Sequence, residues 1–153
     1  MTESEPASGR LESVGVGRWR GVDVMPYKPT GTHFQAISRQ LLFGGDRDLP
    51  IEIRYFEIEP GGYSTLERHE HTHWVMVLEG SGRALVGTEV VPLHMHDIVR
   101  IPAWTWHQFH AGESHGIGIL CVVAADRDRP SRPTKEDLAE LIASSEVAEF
   151  IRV

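Results

Sequence analysis

Hydrophobic and polar residues alternate in short segments through the middle of the chain, and turn residues separate these segments. The β-type segments cover residues 51–59, 74–78, 83–86, 98–101, 106–110 and 117–124. Turn signals lie between them, among them Pro60-Gly61-Gly62 and Glu79-Gly80-Ser81-Gly82. This spacing is typical of a sandwich or barrel and leaves no room for crossover helices. The pattern therefore predicts an all-β domain of eight or more antiparallel strands, a double-stranded jelly-roll barrel.

The N-terminal part of the chain differs in character from this run of strands. Residues 1–18 begin with a stretch rich in Glu, Ser, Gly and Pro, which predicts a disordered tail. The predicted barrel takes in residues 19–129, with additional strand candidates at 21–26 and 34–43. We expect these two strands to cover an open end or edge of the barrel, in the same chain or in a partner subunit.

Residues 130–153 predict a short helical extension at the C-terminus. Thr134 is a good N-cap, and acidic residues follow it in the first turn, where the helix dipole favours them. Ser145 would cap a second helix that runs through Phe150. The first helix would carry an apolar stripe of Leu138, Leu141 and Ile142. We expect this extension to pack outside the barrel.

Composition limits the partners that the protein could have. The chain has 153 residues, the length of one domain, and its net charge of −7 disfavours nucleic acid, which is bound by clustered Lys and Arg. No apolar run approaches the ~18 residues that cross a bilayer, and the first residues lack the pattern of a signal peptide. With Cys121 as the single cysteine, an internal disulfide is excluded. These features predict a cytoplasmic protein that binds neither membrane nor nucleic acid.

Metal-ligand side chains are concentrated in one part of the sequence. Six of the nine histidines fall between positions 69 and 107. Neutral imidazole is the commonest protein metal ligand. Residues two apart on a strand point to the same face, about 6.5–7 Å apart, so Glu67 and His69 can share one ion. On an unbroken strand His73 would lie about 13 Å from His69, and a common ion therefore requires a bend or bulge between them.

Two motifs in this region resemble those of the cupins. The first is Gly61-x5-Glu67-x-His69-x3-His73-x6-Gly80, similar to the cupin motif G-x5-H-x-H-x3-4-E-x6-G. The second runs from Asp97 through Ile101-Pro102 to His107, similar to G-D-x-V-x-I-P-x-G-x-x-H. The resemblance as a whole covers roughly residues 51–123. Three positions depart from the family pattern: Glu67 replaces the first histidine, His73 replaces the glutamate, and Trp104 replaces the late glycine.

The resemblance implies a jelly-roll barrel that binds one divalent transition metal ion. Its ligands would be Glu67, His69, His73 and His107, which keep the family's three nitrogens and one oxygen although two ligand types are exchanged. His71 could ligate in place of Glu67, or could lie beside the site. Fe, Mn, Ni, Cu and Zn all accept imidazole and carboxylate, so the sequence does not distinguish among them. The alternative is a metal-free barrel whose histidines only line a pocket.

Several other residues are candidates for the pocket or for catalysis. Strand alternation places Thr105 and Phe109 on the face of His107, and Cys121 could also face the barrel interior. Arg54 could bind a substrate carboxylate and Tyr55 could donate a proton near the metal, although a surface position for Arg54 and a core position for Tyr55 are the commoner outcomes. Glu67 could act as a general base instead of a ligand. The pair His94 and His96 is interpreted as exposed and not metal-binding.

Three classes of function remain open. Four protein ligands leave positions free on the ion, and the ion suits an anionic enolate, carboxylate or peroxide. The first class, like the oxygenase cupins, is an oxidoreductase, dioxygenase-like, that acts on a small chelating organic substrate. The second is a lyase, isomerase or decarboxylase that uses the ion as a Lewis acid, and the third is a non-catalytic small-molecule binder. The resemblance also leads us to expect a homodimer.

Overall fold

The computed structural model describes residues 9–153 as a curled antiparallel sheet followed by two short helices. The strands are β1 (Ser13–Gly15), β2 (Arg18–Trp19), β3 (Met25–Pro26), β4 (Gln35–Phe43), β5 (Ile51–Tyr63), β6 (His73–Gly80), β7 (Gly82–Val86), β8 (Glu89–Leu93), β9 (Ile98–Ile101), β10 (His107–Ala111) and β11 (Ile117–Ala124). The helices are α1 (Lys135–Leu141) and α2 (Ser145–Phe150). The all-β jelly-roll prediction is confirmed.

One long strand joins the two halves of the barrel. Strand β5 pairs with β4 and β11 along its first part and with β10 at its end, where Tyr63 lies opposite His110. The order of the main path through the sheet is β8-β7-β10-β5-β11-β6-β9. Gly61 has φ of +76°, and a Cβ at Gly62 would lie 2.7 Å from the Gln35 carbonyl oxygen. The predicted Pro-Gly-Gly turn is therefore a bend within β5, made possible by glycine.

Side-chain alternation along the strands builds the barrel interior. On β5 the residues Arg54, Phe56 and Ile58 share one face, because residues two apart on a strand point the same way. Buried Phe56 and Ile58 pack there in one apolar cluster with inward residues of neighbouring strands, including Val75, Val77, Phe109, Ile117, Ile119, Cys121 and Val123. Tyr55 lies on the opposite face, beneath the N-terminal hairpin, where its ring meets Trp19 edge-on at 5.1 Å.

The C-terminal helices pack against the outside of the barrel, as expected. Thr134 caps α1 through a reciprocal capping box with Asp137. The N-cap of α2 is Ser144, one residue before the predicted Ser145, which becomes the first helical residue. Ile142 is exposed and does not belong to the apolar stripe. The residues that make the second buried cluster are Leu66, Leu85, Trp106, Leu141, Val147 and Phe150.

The N-terminal residues contain strands where a tail was predicted. Residues 13–15 pair with β2, because the sequence after Ser13 turns back on itself at Gly15 and Gly17. Residues 1–8 lie outside the described part of the chain. Strands β3 and β4 find their place in the barrel of a single chain, since β3 pairs with β4 and β4 with β5. Homodimerisation stays a prediction.

Both helices within residues 9–153 are short, and neither is long and apolar enough to cross a membrane.

Candidate metal centre and its cavity

Three histidines meet at one end of the barrel interior. His73 begins β6, His107 begins β10, and His69 lies in the irregular segment between residue 68 and β6. Each offers a ligand nitrogen, and these nitrogens lie within 4.8 Å of one another. All three side chains are buried. Within residues 9–153 this is the group of His, Cys, Asp or Glu whose spacing could hold a metal ion.

Backbone hydrogen bonds hold the two ends of this segment in place. Glu67 and His107 form an antiparallel bridge, in which each N–H donates to the other's carbonyl oxygen at 3.2 and 3.0 Å. The Trp104 N–H donates to the His69 carbonyl oxygen at 2.7 Å. Residues 70 and 71 form the bend that a common ion site requires. His69 and His73 consequently approach to 5.0 Å between ring centroids, far less than an extended strand allows.

Trp104 occupies the position at which the cupin motif has glycine. Its φ is +57°, in the left-handed region that non-glycine residues rarely adopt. Trp104 therefore adopts the left-handed backbone conformation that glycine usually occupies. The hydrogen bond from Trp104 to His69 ties this strained residue directly to the candidate metal centre.

Burial keeps the three imidazoles neutral. Desolvation lowers the pKa of His69 to about 4, that of His107 to about 4 and that of His73 to about 2, each from an ordinary value of 6.5. The mutual repulsion of the imidazolium forms adds to this effect for His69 and His73. At neutral pH each ring therefore carries a free lone pair, which is the form that binds a metal.

Hydrogen bonds at the other ring nitrogens orient the three imidazoles. His69 Nδ1 lies 2.7 Å from the His71 carbonyl oxygen, and His107 Nδ1 lies 2.9 Å from that of Thr105. A protonated Nδ1 donates to each carbonyl and leaves Nε2 as the lone-pair nitrogen. His73 Nδ1 lies 3.2 Å from Cys121 Sγ, while its Nε2 is buried without a hydrogen-bond partner. A metal ion in this place would satisfy that buried nitrogen, so the residues present fit the predicted ion.

Glu67 stands beside the three histidines without joining their group. Its Oε2 accepts from Lys28 Nζ at 2.9 Å, a partly buried ion pair. The sequence prediction of Glu67 as fourth ligand therefore stays a prediction, and ligation would compete with Lys28 for the carboxylate. The spacing between Glu67 and His69 indicated a shared face, but it contained no signal for a lysine 39 residues earlier.

His71 has a different environment from its neighbours. Its ring stacks on His69 with centroids 3.6 Å apart, and its Nδ1 donates to Asp128 Oδ1 at 2.7 Å. The same carboxylate accepts from the N–H groups of Glu70 and His71, and these bonds hold the pKa of Asp128 well below its ordinary range. Asp128 therefore fixes the bend between His69 and His73, two of the candidate ligands. Sequence reasoning missed Asp128, which lies in a polar segment after β11 with no motif around it.

The histidines form one end of a cavity of about 210 Å³. Its apolar wall comes from Ile37, Phe56, Val75, Phe109 and Ile119. Four basic side chains also line it, namely Lys28, Arg39, Arg54 and Arg127. Of these the sequence singled out Arg54 alone. The others belong to a loop, to an edge region of the sheet and to the segment after β11, and only the folded chain brings them together.

The predicted pocket residues are only partly found there. Phe109 and Cys121 line the cavity, and so does Arg54. Thr105 does not: it precedes β10 in a loop, where strand alternation does not hold, and its hydroxyl donates to the Ala103 carbonyl oxygen. Tyr55 faces the other side of the sheet, which separates its hydroxyl from the histidines. Burial raises the pKa of Tyr55 to about 12.

His94 and His96 are exposed, as expected from the sequence. Cys121 is buried at the cavity wall, where desolvation raises the pKa of its thiol and the nearby Arg54 guanidinium opposes that rise. Strand pairing explains this contact, because Cys121 and Arg54 are direct cross-strand partners on β11 and β5.

Architecture and site together define a small antiparallel barrel with a candidate metal centre at one end of its interior. Residues 54–123 match the cupin domain family. A protein of Rhodospirillum rubrum named 1-methylthio-D-xylulose 5-phosphate methylsulfurylase is 50% identical over 135 residues, covering 88% of this chain and 86% of the relative.

Two crystal structures are also similar. A cupin 2 conserved barrel domain protein from Rhodopseudomonas palustris is 52% identical with a TM-score of 0.89, over 94% of this chain and 99% of that one. A cupin 2 domain-containing protein from Halorhodospira halophila is 42% identical with a TM-score of 0.75, over 94% and 96%. The chain belongs to the cupin family, and the resemblance of its motifs is confirmed.

Proposed function

We propose that this protein is a metal-dependent cupin enzyme that acts on a small phosphorylated keto sugar bearing a methylthio group. One observation carries the proposal: three buried, neutral histidines form one end of a cavity whose walls also hold four basic side chains. The substrate class is the one in the name of the Rhodospirillum rubrum relative, which is half identical to this chain. Basic side chains suit a phosphate group, and the apolar wall suits a methylthio group.

The residues of the cavity have different roles in this proposal. His69, His73 and His107 hold the ion, and their hydrogen bonds to carbonyl oxygens and to Cys121 keep the rings in place. When bound, a divalent ion there acts as a Lewis acid that polarises a carbonyl oxygen of the substrate. The apolar residues of the wall exclude water from the reacting carbon. This proposal follows the Lewis-acid class predicted from the sequence.

Cys121 is the side chain that we assign to the sulfur end of the substrate. It is the single cysteine of the chain, and its Sγ borders the cavity 3.2 Å from His73 Nδ1. If the Cys121 sulfur attacks the methylthio sulfur, an S–S bond forms, the C–S bond breaks, and the bonding pair moves to the carbon beside the carbonyl. That carbon takes up the proton that the Cys121 thiol gives up. The thiolate of a low-molecular-weight thiol then attacks the resulting disulfide, which releases a mixed methyl disulfide and returns Cys121 to its reduced form.

The test supplies 1-methylthio-D-xylulose 5-phosphate to the metal-loaded protein together with a small thiol. We expect loss of the methylthio group from the sugar without oxygen uptake. Oxygen consumption that matches turnover would instead favour the dioxygenase-like reaction predicted from the sequence. No conversion of this sugar phosphate under any metal would contradict the proposal.

Matched variants separate the roles of the residues. Cys121→Ser should retain the ion and lose turnover, and it should not acquire the mass of one methylthio group that the unsubstituted protein shows when the thiol is withheld. His107→Ala should lose both ion and turnover. His94→Ala replaces an exposed histidine and should behave like the unsubstituted protein. Full activity of Cys121→Ser would remove Cys121 from the mechanism.

A further inference from the structure

We propose that Arg39 and Arg54 form the subsite that binds the phosphate group of the substrate. This inference rests on the proposed function for the identity of the sugar, but it concerns a phosphate site that can be measured by itself. Both side chains line the cavity, and they come from adjacent strands, β4 and β5.

The other two basic side chains of the cavity already have anionic partners. Lys28 Nζ lies 2.9 Å from Glu67 Oε2. Arg127 Nη1 lies 3.1 Å from Glu52 Oε2 and donates to the carbonyl oxygen of Ala124 at 2.9 Å. Arg39 and Arg54 form no ion pair with a carboxylate of the described residues 9–153. The uncompensated positive charge of the cavity therefore belongs to these two arginines.

Arg54 has unused hydrogen-bonding capacity in the cavity wall. Its Nε is buried and has no hydrogen-bond partner. Its guanidinium lies 5.0 Å from the centroid of the Phe56 ring, which holds the group in one orientation, and Nη2 lies 3.7 Å from Cys121 Sγ. A buried donor without a partner is costly, and a phosphate oxygen would satisfy it. Arg39 donates through Nε to the Pro26 carbonyl oxygen at 3.1 Å, and this bond leaves its terminal nitrogens available.

The register of the sheet brings the two arginines to one face. Arg39 lies opposite Phe56, and Arg54 is two residues from Phe56 on the same strand. Arg39 and Arg54 are therefore diagonal neighbours, about 7–8 Å apart at the backbone, within reach of long side chains. Two guanidinium groups in this arrangement can hold one phosphate dianion through charge-assisted, bidentate hydrogen bonds.

Cys121 links this subsite to the candidate metal centre. Its Sγ lies 3.2 Å from His73 Nδ1 and 3.7 Å from Arg54 Nη2. Arg39 lies one strand further from the histidines, on β4 next to β5. A phosphate held by the two arginines therefore places the short sugar chain beside Cys121 and the histidines.

Titration calorimetry of the metal-loaded protein with inorganic phosphate tests the subsite. Arg39→Gln and Arg54→Gln should each raise the dissociation constant about tenfold or more, because each removes a charged hydrogen-bond donor. Arg100→Gln, at an exposed position of β9, is the control for net charge. It should change the dissociation constant for phosphate less than about twofold. Arg127→Gln is the control for a basic residue of the cavity that already has a partner.

Equal weakening in Arg127→Gln, or unchanged affinity in both proposed variants, would overturn the subsite. If phosphate binds the metal ion instead, its affinity should be unchanged in both Arg39→Gln and Arg54→Gln. If Arg54→Gln does not fold, as judged by circular dichroism, Arg54→Lys keeps the charge but loses the planar donor pair, and its affinity should fall between those of the unsubstituted protein and Arg39→Gln.

A second readout uses the sugar with and without its phosphate group. The unsubstituted protein should show a much lower KM for the phosphorylated sugar, and Arg39→Gln should lose most of this preference with a smaller change in kcat. A retained preference would overturn the subsite. If neither sugar is converted, the proposed function fails, and the phosphate titration alone still decides whether Arg39 and Arg54 bind the anion.

Discussion

The cavity and the region beneath the C-terminal helices both bury polar side chains, but they differ in how completely these side chains are hydrogen-bonded. Under the helices, Gln108 Nε2 donates to the Ser64 and Arg152 carbonyl oxygens, while its Oε1 accepts from the Arg152 N–H at 2.9 Å and lies 2.9 Å from His110 Nε2. In the cavity, by contrast, His73 Nε2 and Arg54 Nε have no partner. Satisfied polar groups indicate a structural role, and unsatisfied ones at a cavity indicate a ligand site.

The two regions also show why a shifted pKa does not identify a metal ligand by itself. Burial lowers the pKa of His110 to about 4, as it does for His69 and His107. His110 stacks on Phe150 at 3.8 Å, and its Nε2 lies 2.9 Å from Gln108 Oε1, so its ring takes part in packing the helices. The partners of the ring nitrogens, and not the pKa, separate the two kinds of buried histidine.

Replacing one histidine in each region gives the largest expected contrast. His107→Ala should lower the bound metal from about one ion per chain to below roughly a tenth, because it removes a ligand. His110→Ala should keep the full ion, because this ring contacts only protein groups. Metal analysis of protein purified without a chelating tag measures both. A full equivalent of metal in His107→Ala would contradict the assignment of the centre.

Removing the satisfied network should affect stability alone. Gln108→Ala leaves several buried backbone groups and His110 without partners, and should lower the free energy of unfolding by about 3 kcal/mol. Its metal content should stay unchanged. Urea unfolding of the metal-free variant and the metal-free unsubstituted protein gives the difference. A loss of metal that accompanies normal stability would reverse the roles that we assign to the two regions.

The buried histidines predict a specific pH dependence for the metal-free protein. Their folded pKa values, about 4 for His69, His107 and His110 and about 2 for His73, lie below the unfolded value of 6.5. Below pH 6.5 the unfolded chain binds protons that the folded chain does not, so stability is present above pH 6.5 and is lost as pH falls toward 4. Each group should contribute roughly 1 kcal/mol per pH unit.

Urea unfolding at several values between pH 7 and pH 4.5 measures this slope. His110→Ala should show a smaller slope than the unsubstituted protein, since one of the four groups is absent. Saturating metal should delay the loss to lower pH, because metal binds the folded protein with neutral histidines. A stability that does not change across this range would contradict the low pKa values.

The smallest expected difference concerns the two residues beside the histidines. Glu67→Gln should weaken metal binding by about tenfold if the carboxylate completes the shell, and His71→Gln by less, because His71 acts through its stacking on His69. Competition with a chromogenic chelator measures both affinities. The reverse order would make His71 the ligand and would leave Glu67 as the partner of Lys28 or as an acid–base group.

Much of this molecule could be predicted from sequence because strand periodicity and motif spacing are local properties. Alternation between positions 51 and 124 indicated the barrel, and the spacing of His69, His73 and His107 within two family motifs indicated which imidazoles would meet. The need for a bend before His73 also followed from the rise per residue of a strand. Each of these inferences used only residues close in sequence or a motif that encodes their contact.

Tertiary structure alone decided which side chains surround the histidines. Lys28 meets Glu67 across 39 positions, Asp128 meets His71 across 57, and Arg54 meets Cys121 across 67. These contacts depend on the register between strands and on the paths of loops, neither of which has a signature in any single segment. The position of Thr105 was predicted wrongly for a similar reason. Side chains alternate between the two faces only within a strand, and Thr105 lies in the loop before β10. The sequence therefore determined the fold and the histidines of the candidate metal centre, while sheet register decided the charge and the shape of the cavity around them.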